Sequence, residues 1–163
     1  MLRSRRSGHN GFMAVDVSAY FDRVGYDGPA EPTLDVLRAL VTAHTRTIPF
    51  ENIDPFLGVP VDDLSVDALT DKLVHRQRGG YCYEQNGLMG YVLAELGFQV
   101  RRFGGRVVWM NPPGAPVPAQ THTLLGVTFP GCDGPYLVDV GFGGQTPTSP
   151  LRLAIGGVQQ TAH

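Results

Sequence analysis

The chain has 163 residues, 42% of them hydrophobic and 17% charged. A formal net charge of -2 leaves no basic field to gather nucleic acid, and no apolar run approaches the roughly 18–20 residues that cross a bilayer. The two cysteines, Cys82 and Cys132, are too few for a disulfide scaffold, so a reducing, cytoplasmic home is expected, with a Cys82–Cys132 bridge as the minority alternative.

Residues 1–12 carry Arg3, Arg5 and Arg6 with no apolar stretch behind them and read as a disordered extension rather than a secretory signal. Asp16 is placed to cap a short helix in which Val17, Tyr20, Phe21 and Val24 share a face. Thr33 can cap a second, with Leu34, Leu37, Leu40, Val41 and His44 at helical spacing. Pro49 bars its continuation, so the segment from Arg46 to Asn52 is extended or looped, and 55–63 is a further loop. Ser65 caps a third helix that ends in the basic run Val74-His75-Arg76-Gln77-Arg78, where cations suit a helix C-terminus. A fourth begins around Cys82, keeps Leu88, Val92 and Leu96 on one face, and closes at Gly97 with a left-handed cap.

After Gly97 the texture changes. Residues 98–110 read as one bent strand or two short ones, followed by a proline-rich loop. Thr121 to Phe129 and Tyr136 to Val140 are strand-like, and Leu151, Leu153, Ile155 and Val158 alternate towards another strand. Helices first and strands afterwards predict an α+β fold: a helical bundle over 13–97, then an antiparallel sheet or partial barrel over 98–163.

Cys82 falls where the unpaired N–H groups and the positive end of a helix dipole favour an anion, and the thiolate is the nucleophilic form of cysteine. The same N–H groups could serve an oxyanion, and Gly79-Gly80 would let backbone and substrate approach closely. The plainer reading is a small buried hydrophobe. A thiolate needs a base, and the base an orienter. His122 stands at the start of a strand beside a proline-rich loop, where a cleft residue would be. His44 and His75 lie on helices, the latter read as a charge partner for a helix end. One strand after His122, Asp139 sits among Leu137, Val138 and Val140, and an unpaired carboxylate there would be costly. In a tight hairpin with Pro130-Gly131 as its central residues, His122 would stand directly opposite Asp139 on the same face. A turn-capping role for Asp139, or a pairing with arginine, stays open.

Arg78-Gly79-Gly80-Tyr81-Cys82, preceded by Pro49-Phe50-Glu51-Asn52 and followed by Thr121-His122 and Val138-Asp139-Val140-Gly141-Phe142-Gly143-Gly144, resembles the arylamine N-acetyltransferases. The resemblance runs from about Val15 to Gln160. It implies a helical bundle, a β-barrel and a third lid domain, the first two resembling cysteine proteases. It implies a ping-pong enzyme without a metal, taking acetyl-CoA as donor and an arylamine or hydrazine as acceptor. Cys82 matches the nucleophile, His122 the base and Asp139 the orienter. Phe50, Val107, Trp109 and Phe142 match pocket walls, although Phe50 read alone is better explained by packing. Thr121 and Gly143 match positions beside coenzyme A. Gln85 stands where relatives carry histidine and is expected to tune the surroundings of the triad. The chain ends inside what should be the barrel, so the lid is expected to be missing and a homo-oligomer or a partner to complete it. The alternatives are a cysteine hydrolase using the same triad, or an inactive, partner-completed fragment.

Overall fold

Local capping chemistry starts the helices. The Asp16 carboxylate accepts from the Ala19 N–H at 3.0 Å and opens α1, Val17–Val24. Thr33 Oγ1 accepts from the Val36 N–H at 3.3 Å and opens α2, Leu34–Thr47. A four-residue helix, α3 (Ile53–Phe56), occupies part of the stretch expected to be loop; Pro55 fits because its missing N–H falls in the first turn. Ser65 Oγ accepts from the Ala68 N–H at 3.3 Å and opens α4, Val66–Thr70. Caps of this kind contribute about 1 kcal/mol each. The computed structural model describes residues 14–154, 156–159 and 161, so the expected extension at 1–12, along with Ile155 of the expected tail strand, lies outside the described residues.

Two helices depart from simple expectation. After Thr70 the chain widens into a π turn, Asp71–His75, whose Lys72, Leu73 and Val74 are all buried. The helix therefore ends at His75, inside the expected basic run, with Arg76, Gln77 and Arg78 beyond its last turn. The next helix, α5 (Cys82–Glu95), begins at the cysteine as expected and is buried on every side, continuously from Glu84 to Gly90. Gly97 takes the left-handed conformation expected of a helix stop, with φ 89°.

Four strands form an antiparallel meander in sequence order: β1 Gln99–Arg106, β2 Gln120–Thr128, β3 Tyr136–Val138 and β4 Leu151–Arg152. β1 is one strand, with a register shift between Gly105 and Arg106, and β4 is a single pair of residues where a longer strand was expected. The core lies between the helices and one face of the sheet. There Leu88, Met89, Val92 and Leu93 of α5 and Leu125, Val127 and Val138 of the sheet are all fully buried. Each such side chain contributes about 1.5–3 kcal/mol through burial. This packing seats the start of α5 beside the first residues of β2.

The β2–β3 connection differs from the tight hairpin. Pro130-Gly131 does form a turn, closed by the Cys132 N–H donating to the Phe129 carbonyl at 3.1 Å, with Gly131 at φ 78° as a type II turn requires. The loop then runs on to Pro135, and Leu125 pairs with Val138. Asp139 is therefore level with Leu124, two residues from His122 on the same face, a diagonal neighbour rather than a direct one. The parity of the expected pairing holds and its register moves by two.

Candidate active site

The approach to Cys82 is built by a close crossing of backbones. Gly80 forms a parallel bridge with Phe50, the Gly80 N–H donating to the Pro49 carbonyl at 3.3 Å and the Glu51 N–H to the Gly80 carbonyl at 3.0 Å. Gln85, fully buried, holds the crossing from inside: its Nε2 donates to the carbonyls of Pro49 at 2.8 Å and Gly80 at 3.2 Å. Glu84 accepts the Tyr81 N–H at 3.1 Å and so fixes the residue before the cysteine. Cys82 itself is 8% exposed, and both cysteines are free, so the alternative Cys82–Cys132 bridge is excluded.

The three residues expected to act together meet at this point. His122 and Asp139, 8% and 7% exposed, lie with His122 Nε2 2.6 Å from Asp139 Oδ2. Cys82 is a second hydrogen-bond partner of the His122 side chain. Hydrogen bonds from Asp139 and then Cys82 push the His122 pKa up to about 9 against the opposing effect of burial, so the ring is an imidazolium at neutral pH. Of the roles left open for Asp139, the turn cap is present beside this pairing, since Oδ1 accepts the Gly141 N–H two residues on, and among the described residues no arginine pairs with it.

Asn86 is the residue that the sequence reading missed. Its Nδ2 donates to Asp139 Oδ1 at 3.0 Å and to the Thr123 carbonyl at 2.8 Å, while its Oδ1 accepts the Val140 N–H at 3.0 Å. The Gly141 N–H supplies a second donor to Asp139 Oδ1 at 3.0 Å. One carboxylate oxygen is thus committed to Asn86 and Gly141 and the other to His122, which fixes the acid in one orientation. The available signal was spacing: Asn86 is four residues after Cys82 and shares its helix face.

The remaining expected residues divide into two groups. The Phe142 ring meets His122 edge-on, centroids 5.3 Å apart at 83°. Gly143 lies against Phe50, since a Cβ there would be 3.6 Å from the ring, and the Thr121 carbonyl is 4.0 Å from Cys82 Sγ. Val107 and Trp109 fall outside β1, in the loop that follows it, with Trp109 63% exposed. Among the described residues neither makes a hydrogen bond or ring contact with Cys82, His122 or Asp139.

A second buried histidine supports the site from behind. His44 Nε2 lies 2.7 Å from Gln85 Oε1, so it donates there, and Nδ1 accepts from the Tyr20 hydroxyl at 3.0 Å. Burial lowers the His44 pKa to about 4, and Arg23 adds to the effect against the Gln85 hydrogen bond. The two histidines act on stability in opposite directions. His44 is lowered on folding, so its contribution is present above pH 6.5 and is lost as pH falls towards 4. His122 is raised, so its contribution is present below pH 6.5 and is lost as pH rises towards 9. Urea midpoints measured from pH 4 to 9 should therefore peak near 6.5, with each limb worth at most about 3 kcal/mol. A flat profile contradicts this assignment.

Among the described residues no helix is long and apolar enough to cross a membrane. Residues 33–163 match the family model described as N-acetyltransferase. An arylamine N-acetyltransferase of Mycobacterium tuberculosis is 74% identical over 151 residues, 93% of this chain and 53% of that protein. The solved structure of arylamine N-acetyltransferase from M. tuberculosis matches with a TM-score of 0.88 at 74% identity, covering 91% of this chain and 55% of that one. The Mycobacterium marinum arylamine N-acetyltransferase solved in complex with CoA matches with a TM-score of 0.86 at 72% identity, covering 90% and 54%. The α+β, cysteine-protease-like architecture expected from the sequence is the one it shares with these structures. The chain spans about half the length of the curated relatives it matches.

Proposed function

Because the chain belongs to the arylamine N-acetyltransferase family, we propose that it carries acetyl groups from acetyl-CoA to arylamines or arylhydrazines through an acetyl-cysteine on Cys82. The observation that carries this reading is the His122–Asp139 contact of 2.6 Å, with Cys82 as a second hydrogen-bond partner of the same side chain. An imidazolium held there by a buried acid stabilises a thiolate beside it.

The Cys82 thiolate attacks the carbonyl carbon of the acetyl thioester. The new carbon–sulfur bond forms as the bond to coenzyme A breaks, N–H groups at the start of α5 stabilise the oxyanion, and His122 gives its proton to the departing thiolate. The acceptor nitrogen then attacks the acetyl-cysteine. Its proton passes to neutral His122, and the cysteine leaves as the thiolate, restoring the starting pair. Phe50 and Phe142 are assigned to the walls around the acceptor ring, with Val107 and Trp109 on the outer side. Thr121 and Gly143 are assigned to the coenzyme. Such chemistry belongs in the cytoplasm, where thiols stay reduced.

Substituting Cys82→Ala should reduce acetyl transfer from acetyl-CoA to an arylamine to the uncatalysed rate. In the wild-type chain, iodoacetamide should label Cys82 well before Cys132. Transfer that survives the substitution, or equal labelling of the two cysteines, would overturn the proposal.

A further inference from the structure

A chain of ions, buried at Lys72 and Glu84 and half-buried at Asp54, Arg78 and Glu51, lies next to the segment that carries the nucleophile. Glu84 Oε1 and Asp54 Oδ2 each lie 2.6 Å from Lys72 Nζ. Asp54 Oδ1 continues to Arg78 at 2.8 Å, and Arg78 reaches Glu51 at 2.9 Å. Glu84 is 2% exposed, and Lys72 is its one cation among the described residues, whereas Asp54 keeps Arg78. Lys72 reaches this position from the π turn after α4, and such wide turns recur at functional sites. Both anions that it holds lead to the site. Glu84 fixes the Tyr81 N–H next to Cys82, and Asp54 lies four residues after Phe50.

The geometry points to Lys72 as a positioning residue for Cys82: its ammonium neutralises Glu84, two residues from the sulfur, and ties the start of α5 to the segment bearing Phe50. This rests on the reading of Cys82 as the nucleophile. Without Lys72, the buried Glu84 charge, two residues along α5 from Cys82, would stand uncompensated near the thiolate, and a like charge disfavours the ionised form. The other charged and titratable groups on this side do not replace it. Arg78 is engaged by Glu51 and Asp54, and Arg76 pairs with Asp71 on the surface. Asp62 and Asp63 line the same cavity as Lys72 but add negative charge. The Tyr81 hydroxyl, raised first by burial and then by Glu84 and Cys82, with Lys72 acting in the opposite sense, feels all three groups at once. Burial opposes the Lys72 charge, yet the hydrogen bonds to Asp54 and Glu84 prevail and hold its pKa above the usual value.

The test is the pH dependence of iodoacetamide alkylation at Cys82 in the full chain. Lys72→Met should raise the alkylation midpoint by about one pH unit or more, roughly a ten-fold loss of thiolate below the midpoint. The double variant Lys72→Met with Glu84→Gln removes both charges and should return the midpoint to the wild-type value. A folded Lys72→Met chain with an unmoved midpoint, or a double variant that stays displaced, overturns the assignment. Should Lys72→Met fail to fold alone, Glu84→Gln, which leaves the Lys72 charge without Glu84, should lower the midpoint and the double variant should restore it; a Glu84→Gln midpoint at the wild-type value overturns the assignment equally. Alkylation uses no acetyl-CoA, so a wild-type chain that alkylates normally but accepts no acetyl group sinks the transferase reading and leaves this test standing.

Discussion

Asp139→Asn is expected to slow acetylation of Cys82 by about 10³–10⁴-fold in a chain that still folds, a rise of about 4–5.5 kcal/mol in the barrier. The cause is the direction of hydrogen bonds. Asp139 Oδ1 accepts from Asn86 and Gly141, each at 3.0 Å, so the oxygen of an asparagine would take that side. Its NH₂ would then face His122 Nε2, which must accept, and the ring proton would move to the nitrogen facing Cys82. An imidazole in that tautomer cannot take the thiol proton, and without the acid it loses its main reason to be charged. The alkaline limb of the stability profile should flatten in the same variant, because that limb comes from the raised His122. A loss of less than ten-fold in acetylation would mean that Asp139 does not orient the base.

Gly79→Ala is expected to have the largest effect on stability. A Cβ at Gly79 would sit 2.1 Å from the Pro49 carbonyl oxygen and 3.0 Å from its carbon. That carbonyl cannot retreat without cost, because it accepts from both the Gly80 N–H and Gln85 Nε2. Separating the two backbones would open the Phe50–Gly80 bridge and move the turn into Cys82. The substitution should cost about 3 kcal/mol or more, read as a drop in the urea midpoint, together with slower alkylation of Cys82. A variant that unfolds at the wild-type midpoint would show that the crossing has slack.

What could be read from the sequence was what is coded locally. Asp16, Thr33, Ser65 and Gly97 mark helix ends because each cap is made within a few residues. Cys82 at the start of α5 followed from the same signals. The two-residue period of strands placed His122 and Asp139 on one face, yet it could not fix the register, since the loop after Phe129 outruns the turn that begins it. The ion chain was illegible for a different reason. Asp54, Lys72 and Glu84 lie on three separate elements, and only the tertiary fold brings them within 2.6 Å contacts. Nothing in the sequence around Lys72 marks the π turn that buries it. Asn86 was hidden by its setting in a helix that reads as core.

The central claim is that Cys82 is a thiolate able to hold an acetyl group and pass it on. Intact-mass spectrometry of the chain after incubation with acetyl-CoA tests it most directly. The chain should gain one acetyl group, absent from Cys82→Ala and lost when an arylamine is added, with acetylated amine appearing in its place. A chain that gains no acetyl group, or one whose adduct persists in the presence of the amine, contradicts it.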